Sequence, residues 1–212
     1  MATCGRRPLR RLALVTSLAI AACDEPGATP LAETPTQSIT LPDDEACDDV
    51  RQWPKLRRER EAQMLDAIAR VRSEGGTCPD ARRFDAGERT TIEGALVCAA
   101  RNFTLYLAEF DAIGHTDGDG NTVVDRLADA GWDALLSTQL IAAGDIEPAR
   151  IVDEVWLPSA PHCDALRANA WTHVGVGWIE NEVPVDPKPP NSSPDPVLYA
   201  GYWVVVLSTA AR

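Results

Sequence analysis

From Leu56 to Ser73, Arg, Glu and Ala alternate with Met64, Leu65, Ile68 and Val71, apolar positions at helical spacing that run until Gly75-Gly76. Residues three and four apart share a helix face, so the pattern predicts an amphipathic helix with a solvated charged side. Thr90-x-x-Glu93 then has the form of a capping box, and Ile92, Leu96, Ala99, Phe103, Tyr106 and Phe110 recur at three- and four-residue intervals. A second, more buried helix is predicted over about 91–110, its aromatics packed in the core. A short helix is predicted from Thr122 to Ala130, closed by Gly131 in the position expected after a helix end. Asp145 is placed to cap a fourth, with Pro148 in its first turn and Ile151, Val152, Val155 and Trp156 as its apolar stripe.

Beyond Trp171 the period drops to two. Trp171, Val174, Val176 and Trp178 lie among Gly and polar residues, and Tyr202 to Leu207 is a β-branched and aromatic run. These are two strands. Residues 180–197 between them hold six prolines and Asn191-Ser192-Ser193, which predicts a long exposed hairpin loop. Helices followed by an antiparallel hairpin predict a sheet covered by helices, an α+β arrangement or an α/β/α sandwich.

The amino terminus follows a different logic. Arg6, Arg7, Arg10 and Arg11 precede an apolar run, Leu12 to Ala22, far short of the roughly 20 residues needed to span a bilayer. It ends in Ile20-Ala21-Ala22-Cys23, which resembles a bacterial lipobox, so residues 1–22 are expected to be a cleaved export signal and Cys23 the lipidated residue. Residues 23–46, with prolines 26, 30, 35 and 42 and few large apolar side chains, are expected to be a tether. The folded domain would then span 47–212, exported and held at the envelope membrane by its lipid.

Removing residues 1–22 takes away four arginines and no acids, leaving 16 basic against 32 acidic side chains and a net charge of -16. That balance argues against nucleic acid and anionic headgroups as partners. Cys47, Cys78, Cys98 and Cys163 remain for the domain; an oxidising compartment favours two disulfides, and three pairings are open.

Several groups could carry chemistry. Asp117, Asp119 and Asn121 open like a calcium loop, but Thr122 stands where Gly is needed and Ala128 where a bidentate Glu is needed. Of the three histidines, His173 lies inside a strand, whereas His115 and His162 lie in loops beyond helices, where side chains can converge on a pocket. Two imidazoles could contribute to a zinc site, which needs a third protein ligand. Ser159 has no nucleophile-elbow sequence around it.

His115-Thr116-Asp117-Gly118-Asp119-Gly120, followed by Arg126 and Ala130-Gly131-Trp132, resembles the bacterial branch of the CAP superfamily, which includes cysteine-rich secretory and pathogenesis-related proteins. Cys98-Ala99-Ala100-Arg101 is similar to that family's alanine-rich helix. Trp156-Leu157-Pro158-Ser159-Ala160-Pro161-His162-Cys163 is similar to its tryptophan and Ser-Pro-Gly-His segment, and Val174-Gly175-Val176-Gly177 with Tyr202-Trp203 to its closing strands. The resemblance covers roughly residues 56–208. It implies an α/β/α sandwich, a cleft to which His115 and His162 contribute, and a Cys78–Cys163 bridge, which leaves Cys47–Cys98.

The departures bear on mechanism. The family's cleft glutamate aligns with Gln139, and an amide cannot serve as general base or charge-neutralising metal ligand. Phe103 to Leu107 and Trp203-Val204-Val205 replace segments that are more polar in the family. The leading expectation is therefore a non-catalytic, envelope-tethered domain binding a lipid, peptide or protein through a cleft of His115, Gln139 and His162, without a cofactor. The alternatives are a zinc-assisted hydrolase or protease using His115, His162 and Glu154, and a purely structural lipoprotein.

Overall fold

The computed structural model describes residues 39–144, 146–181 and 199–211. The export signal, Cys23, the Asp145 cap and nearly all of the Pro-rich loop lie outside them. In chain order the helices are α1 (Asp48–Arg51), α2 (Lys55–Glu74), α3 (Gly94–Phe110), α4 (Val123–Asp129), α5 (Pro148–Arg150) and α6 (Ala160–Arg167). The strands are β1 (Gly76–Thr77), β2 (Arg83–Phe84), β3 (Thr91–Ile92), β4 (Ala134–Ala143), β5 (His173–Glu180) and β6 (Gly201–Ala210). No helix among the described residues is long and apolar enough to cross a membrane.

The main sheet runs β3-β5-β6-β4. Strand β6 pairs antiparallel with both β5 and β4, and β3 adds a short parallel edge. Side chains on a strand alternate between faces, and in β6 both sets are buried. Tyr202, Val204 and Val206 join the core with Leu96, Phe103 and Leu107 of α3. Trp203, Val205 and Leu207 join Met64, Ile68 and Val71 of α2, with Trp156 and Leu166. A strand covered on both sides reads as a continuous apolar run, which is why Tyr202 to Leu207 is so marked in the sequence. The architecture is an α/β/α sandwich.

Strand β5 divides its faces by size. Val174, Val176 and Trp178 face α2, whereas Gly175 and Gly177 lie under α3. A Cβ at Gly175 would stand 2.2 Å from the Leu96 carbonyl carbon, and one at Gly177 2.6 Å from that of Ala100. Helix α3 rests almost backbone to backbone on the sheet, and its small residues Ala95, Ala99 and Ala100 are buried there.

Both disulfides form, Cys47–Cys98 and Cys78–Cys163. The first ties the entry of the domain to α3; the second ties the β1–β2 turn to α6.

Five local expectations change. Thr91 and Ile92 belong to β3 rather than to a helix, because pairing with His173 and Val174 outweighs the helical pattern. The cap of α3 is Glu93, whose carboxylate accepts from Ala95 N. The tether does not extend to residue 46: Leu41 is buried, and the Thr40 carbonyl packs against Gly94. The charged side of α2 is not wholly solvated, since Glu61 and Arg72 are buried, Arg72 donating to the carbonyls of Leu166, Ala168 and Trp171. After α5, residues 151–156 form a wide π-helical turn, with Leu157 N donating to Val152 O at 2.9 Å. The extra residue per turn rotates Val155 out to solvent and leaves Ile151, Val152 and Trp156 inside.

Candidate functional site

The edge strand β4 carries the middle of a cleft. Ser137, Thr138 and Gln139 line it between His115, Thr116, Thr122 and Val123 on one side and Pro161, His162 and Ala165 on the other. Its volume is about 460 Å³. One wall comes from the segment between α3 and α4, the other from the start of α6, so opposite layers of the sandwich meet over the sheet edge. Three residues singled out from the sequence, His115, Gln139 and His162, stand together here.

Each wall has a local cause. Helix α3 ends where Asp111 turns left-handed at φ +46°. In the segment that follows, the Asp117 carboxylate accepts from the backbone N–H groups of Asp119 and Asn121 and from the Asn121 amide, at 2.9 to 3.1 Å. Asp117 is thus committed to folding a turn, the role that its Asp/Gly-rich setting allows. At the start of α4, Asp125 accepts from both the backbone N–H and the hydroxyl of Thr122, each at 2.7 Å. Those two bonds hold its carboxyl below the usual range. On the opposite wall, His162 sits in the first turn of α6, one residue before bridged Cys163, with Nδ1 3.0 Å from Ser159 Oγ. Partial burial and the neighbouring His115 both push the His162 imidazole below its ordinary value, which favours the neutral ring.

Arg126 organises the floor from behind. Its Nη1 donates to Asn121 O at 2.9 Å; its Nη2 donates to His115 O at 3.0 Å and to Gln139 Oε1 at 2.8 Å. Its guanidinium lies 3.6 Å from the centre of the Phe103 ring. One side chain therefore fixes the backbone at His115 and the amide of Gln139 together. Sequence reasoning placed Arg126 in a motif without giving it this task; the only signal available was its spacing, on the helix that follows the histidine.

Neither known protein-family models nor curated protein sequences give a match to this chain. Solved structures do. An outer surface protein of Borrelia burgdorferi superposes with a TM-score of 0.55 at 20% identity, covering 72% of this chain and 94% of that one. An extracellular protein containing an SCP domain from Bacillus anthracis gives 0.53 at 16% identity, covering 72% of this chain and 41% of that one. A cysteine-rich secretory protein from Staphylococcus aureus gives 0.50 at 10% identity, covering 73% and 39%. The fold is the one these three proteins have. The chain spans about two fifths of the Bacillus and Staphylococcus chains, and nearly all of the Borrelia one.

A cleft with two histidines raises the question of zinc, and the residues of this one do not fit it. Among the described residues no group of three or more His, Cys, Asp or Glu side chains is placed to hold a metal ion. Gln139, which lines the cleft with the two histidines, carries an amide and so supplies no carboxylate as a third ligand. Glu154, considered from the sequence as that ligand, is elsewhere. It lies on the exposed outer side of the π turn and pairs with Arg150 four residues earlier, at 3.0 and 2.8 Å. That hydrogen bond holds it below the usual carboxylate range. His173 is also outside the cleft, its ring edge-on to Trp132 at 4.8 Å and its Nδ1 2.8 Å from Thr172 Oγ1. The Ser159–His162 contact is a local one within a single helical turn.

Proposed function

We propose that this protein is an exported, envelope-tethered CAP-fold domain that binds a lipid, peptide or protein through its cleft and performs no chemistry on it. The observation that carries the reading is the place of Gln139: among the described residues the cleft is lined by two imidazoles but by no carboxylate to act as base or to complete a metal site. Export is supported by the amino-terminal pattern that ends at Cys23, by two disulfides, and by fold similarity to an outer surface protein and an extracellular protein.

Binding is tested by filling the cleft. Thr138→Trp places a large ring on the edge strand, where aromatic residues are well accommodated. The full chain, incubated with an envelope lipid extract, peptidoglycan fragments and envelope proteins, is expected to retain a component that the variant retains about tenfold less well. If the wild-type chain retains nothing above background, or the variant retains as much, the reading fails. Tethering is tested separately. Cys23→Ala is expected to move the chain from the membrane to the soluble fraction, and its staying with the membrane would refute lipidation there.

A further inference from the structure

We infer that the cleft is built to take a carboxylate group, which names the ligand class for the binding reading above and rests on it. A guanidinium has five N–H donors and no acceptor. The Gln139 atom 2.8 Å from Arg126 Nη2 is therefore the carbonyl oxygen, and the amide orientation is settled by chemistry. Its Nε2 is consequently turned to the other side. That nitrogen is buried and has no hydrogen-bond partner, in a side chain only 7% exposed that lines the cleft. A buried donor left unmade costs about 1–3 kcal/mol, and a ligand that brings an acceptor recovers it.

The charge around that donor decides which acceptor. All three hydrogen bonds of Arg126 end on neutral oxygens, those of Asn121, His115 and Gln139. The acids near it, Asp117 and Asp125, act on it only through space, and they accept hydrogen bonds from Asn121 and Thr122 respectively. The cation behind the floor polarises the Gln139 amide and strengthens its free N–H as a donor. Among the described residues that line the cleft there is no Asp or Glu, in a chain with 32 of them. The remaining polar lining is imidazole and hydroxyl; His115, His162, Thr116, Ser137 and Thr138 are able to donate to an anion, whereas the Thr122 hydroxyl is already committed to Asp125. Where a glutamate at this position would present an acceptor to a cation, Gln139 presents a donor to an anion. With a volume of about 460 Å³ the cleft has room for a larger molecule bearing the carboxylate at one end.

The test is a titration of the ¹⁵N-labelled full chain with sodium acetate, following the Gln139 side-chain NH₂ signals, which are assigned by their loss in Gln139→Glu. Acetate is expected to shift them saturably. Gln139→Glu, which can still pair with Arg126, is expected to bind acetate at least about tenfold more weakly and to bind Zn²⁺ at least about tenfold more tightly than the wild type, having supplied a third ligand beside His115 and His162. The inference is overturned if acetate leaves the Gln139 signals unmoved, or if Gln139→Glu binds acetate as well as the wild type does. It is also overturned if N-methylacetamide, a carbonyl without charge, shifts the signals at the same concentration. Failure on these counts leaves the Thr138→Trp comparison standing, because that experiment scores any retained ligand. Conversely, acetate binding with nothing retained from the envelope would sink the broader reading alone.

Discussion

Glu61→Ala is expected to lower folding stability by about 3–5 kcal/mol, the usual cost of stranding one member of a buried ion pair. Glu61 and Arg101 are 1% and 3% exposed. Their two hydrogen bonds, 3.1 and 2.6 Å, join α2 to α3, and Glu61 Oε1 also accepts from the backbone N–H of Trp178 at 3.2 Å in β5. The pair therefore crosses the sandwich and holds both helical layers to the sheet. Removing the carboxylate leaves a buried guanidinium held, among the described residues, by Val50 O at 3.4 Å and by the Trp53 ring, whose centre is 5.1 Å away. Replacing both residues by Met is expected to be much milder than the single change, because no charge is then left without a partner. Urea unfolding of the wild type and the two variants measures this. A single variant within about 1 kcal/mol of the wild type would show that the pair is not what joins the layers.

Removing the second bridge, as Cys78→Ala with Cys163→Ala, is expected to cost about 3–5 kcal/mol. Its partners are 85 residues apart, and the chain-entropy relation puts closure of a loop that long at roughly 4.5 kcal/mol. For a domain of this size that is a fall in melting temperature of roughly 6–20 °C. The consequence for the cleft is local as well as global. His162 precedes Cys163 directly, so without the bridge the start of α6 loses its covalent anchor on the β1–β2 turn, keeping the partly exposed Arg82–Asp164 ion pair there, and the wall carrying His162 should fray first. Amide exchange over residues 160–167 should rise before that of α3. A shift of melting temperature under about 2 °C, or uniform exchange across both helices, would contradict this account.

Much of the sandwich was legible in the chain because its central elements repeat one local rule. Helix α2 and most of α3 follow the helical period, and β6 is apolar on both faces because both are covered. Strand β4 escaped that reading. It lies at the sheet edge, its Leu135 and Leu136 are exposed, its Ser137-Thr138-Gln139 faces the cleft, and burial is confined to its second half, so no strand period marks its whole length. Helix α6 escaped too, being two turns long and opened by Pro161 with no apolar stripe of any length. The order of His115, Gln139, His162 and the cysteines was enough to suggest which residues meet, through likeness to a known family rather than through any local periodicity.

The sequence alone determined the periods of α2, most of α3 and β6, the chemistry of His115, Gln139 and His162, and the absence of a carboxylate at position 139, since each of these is a property of residues at fixed spacing. Only the tertiary structure decided which polar groups are buried and what satisfies them. Glu61 on a charged helix face becomes a core residue because Arg101, 40 positions away, arrives opposite it. Gln139 becomes a donor to the cleft because Arg126 has taken its oxygen. Periodicity records which way a side chain faces; the partner it meets depends on chain segments brought together by packing, and it is the partner that fixes the energy of a buried polar group.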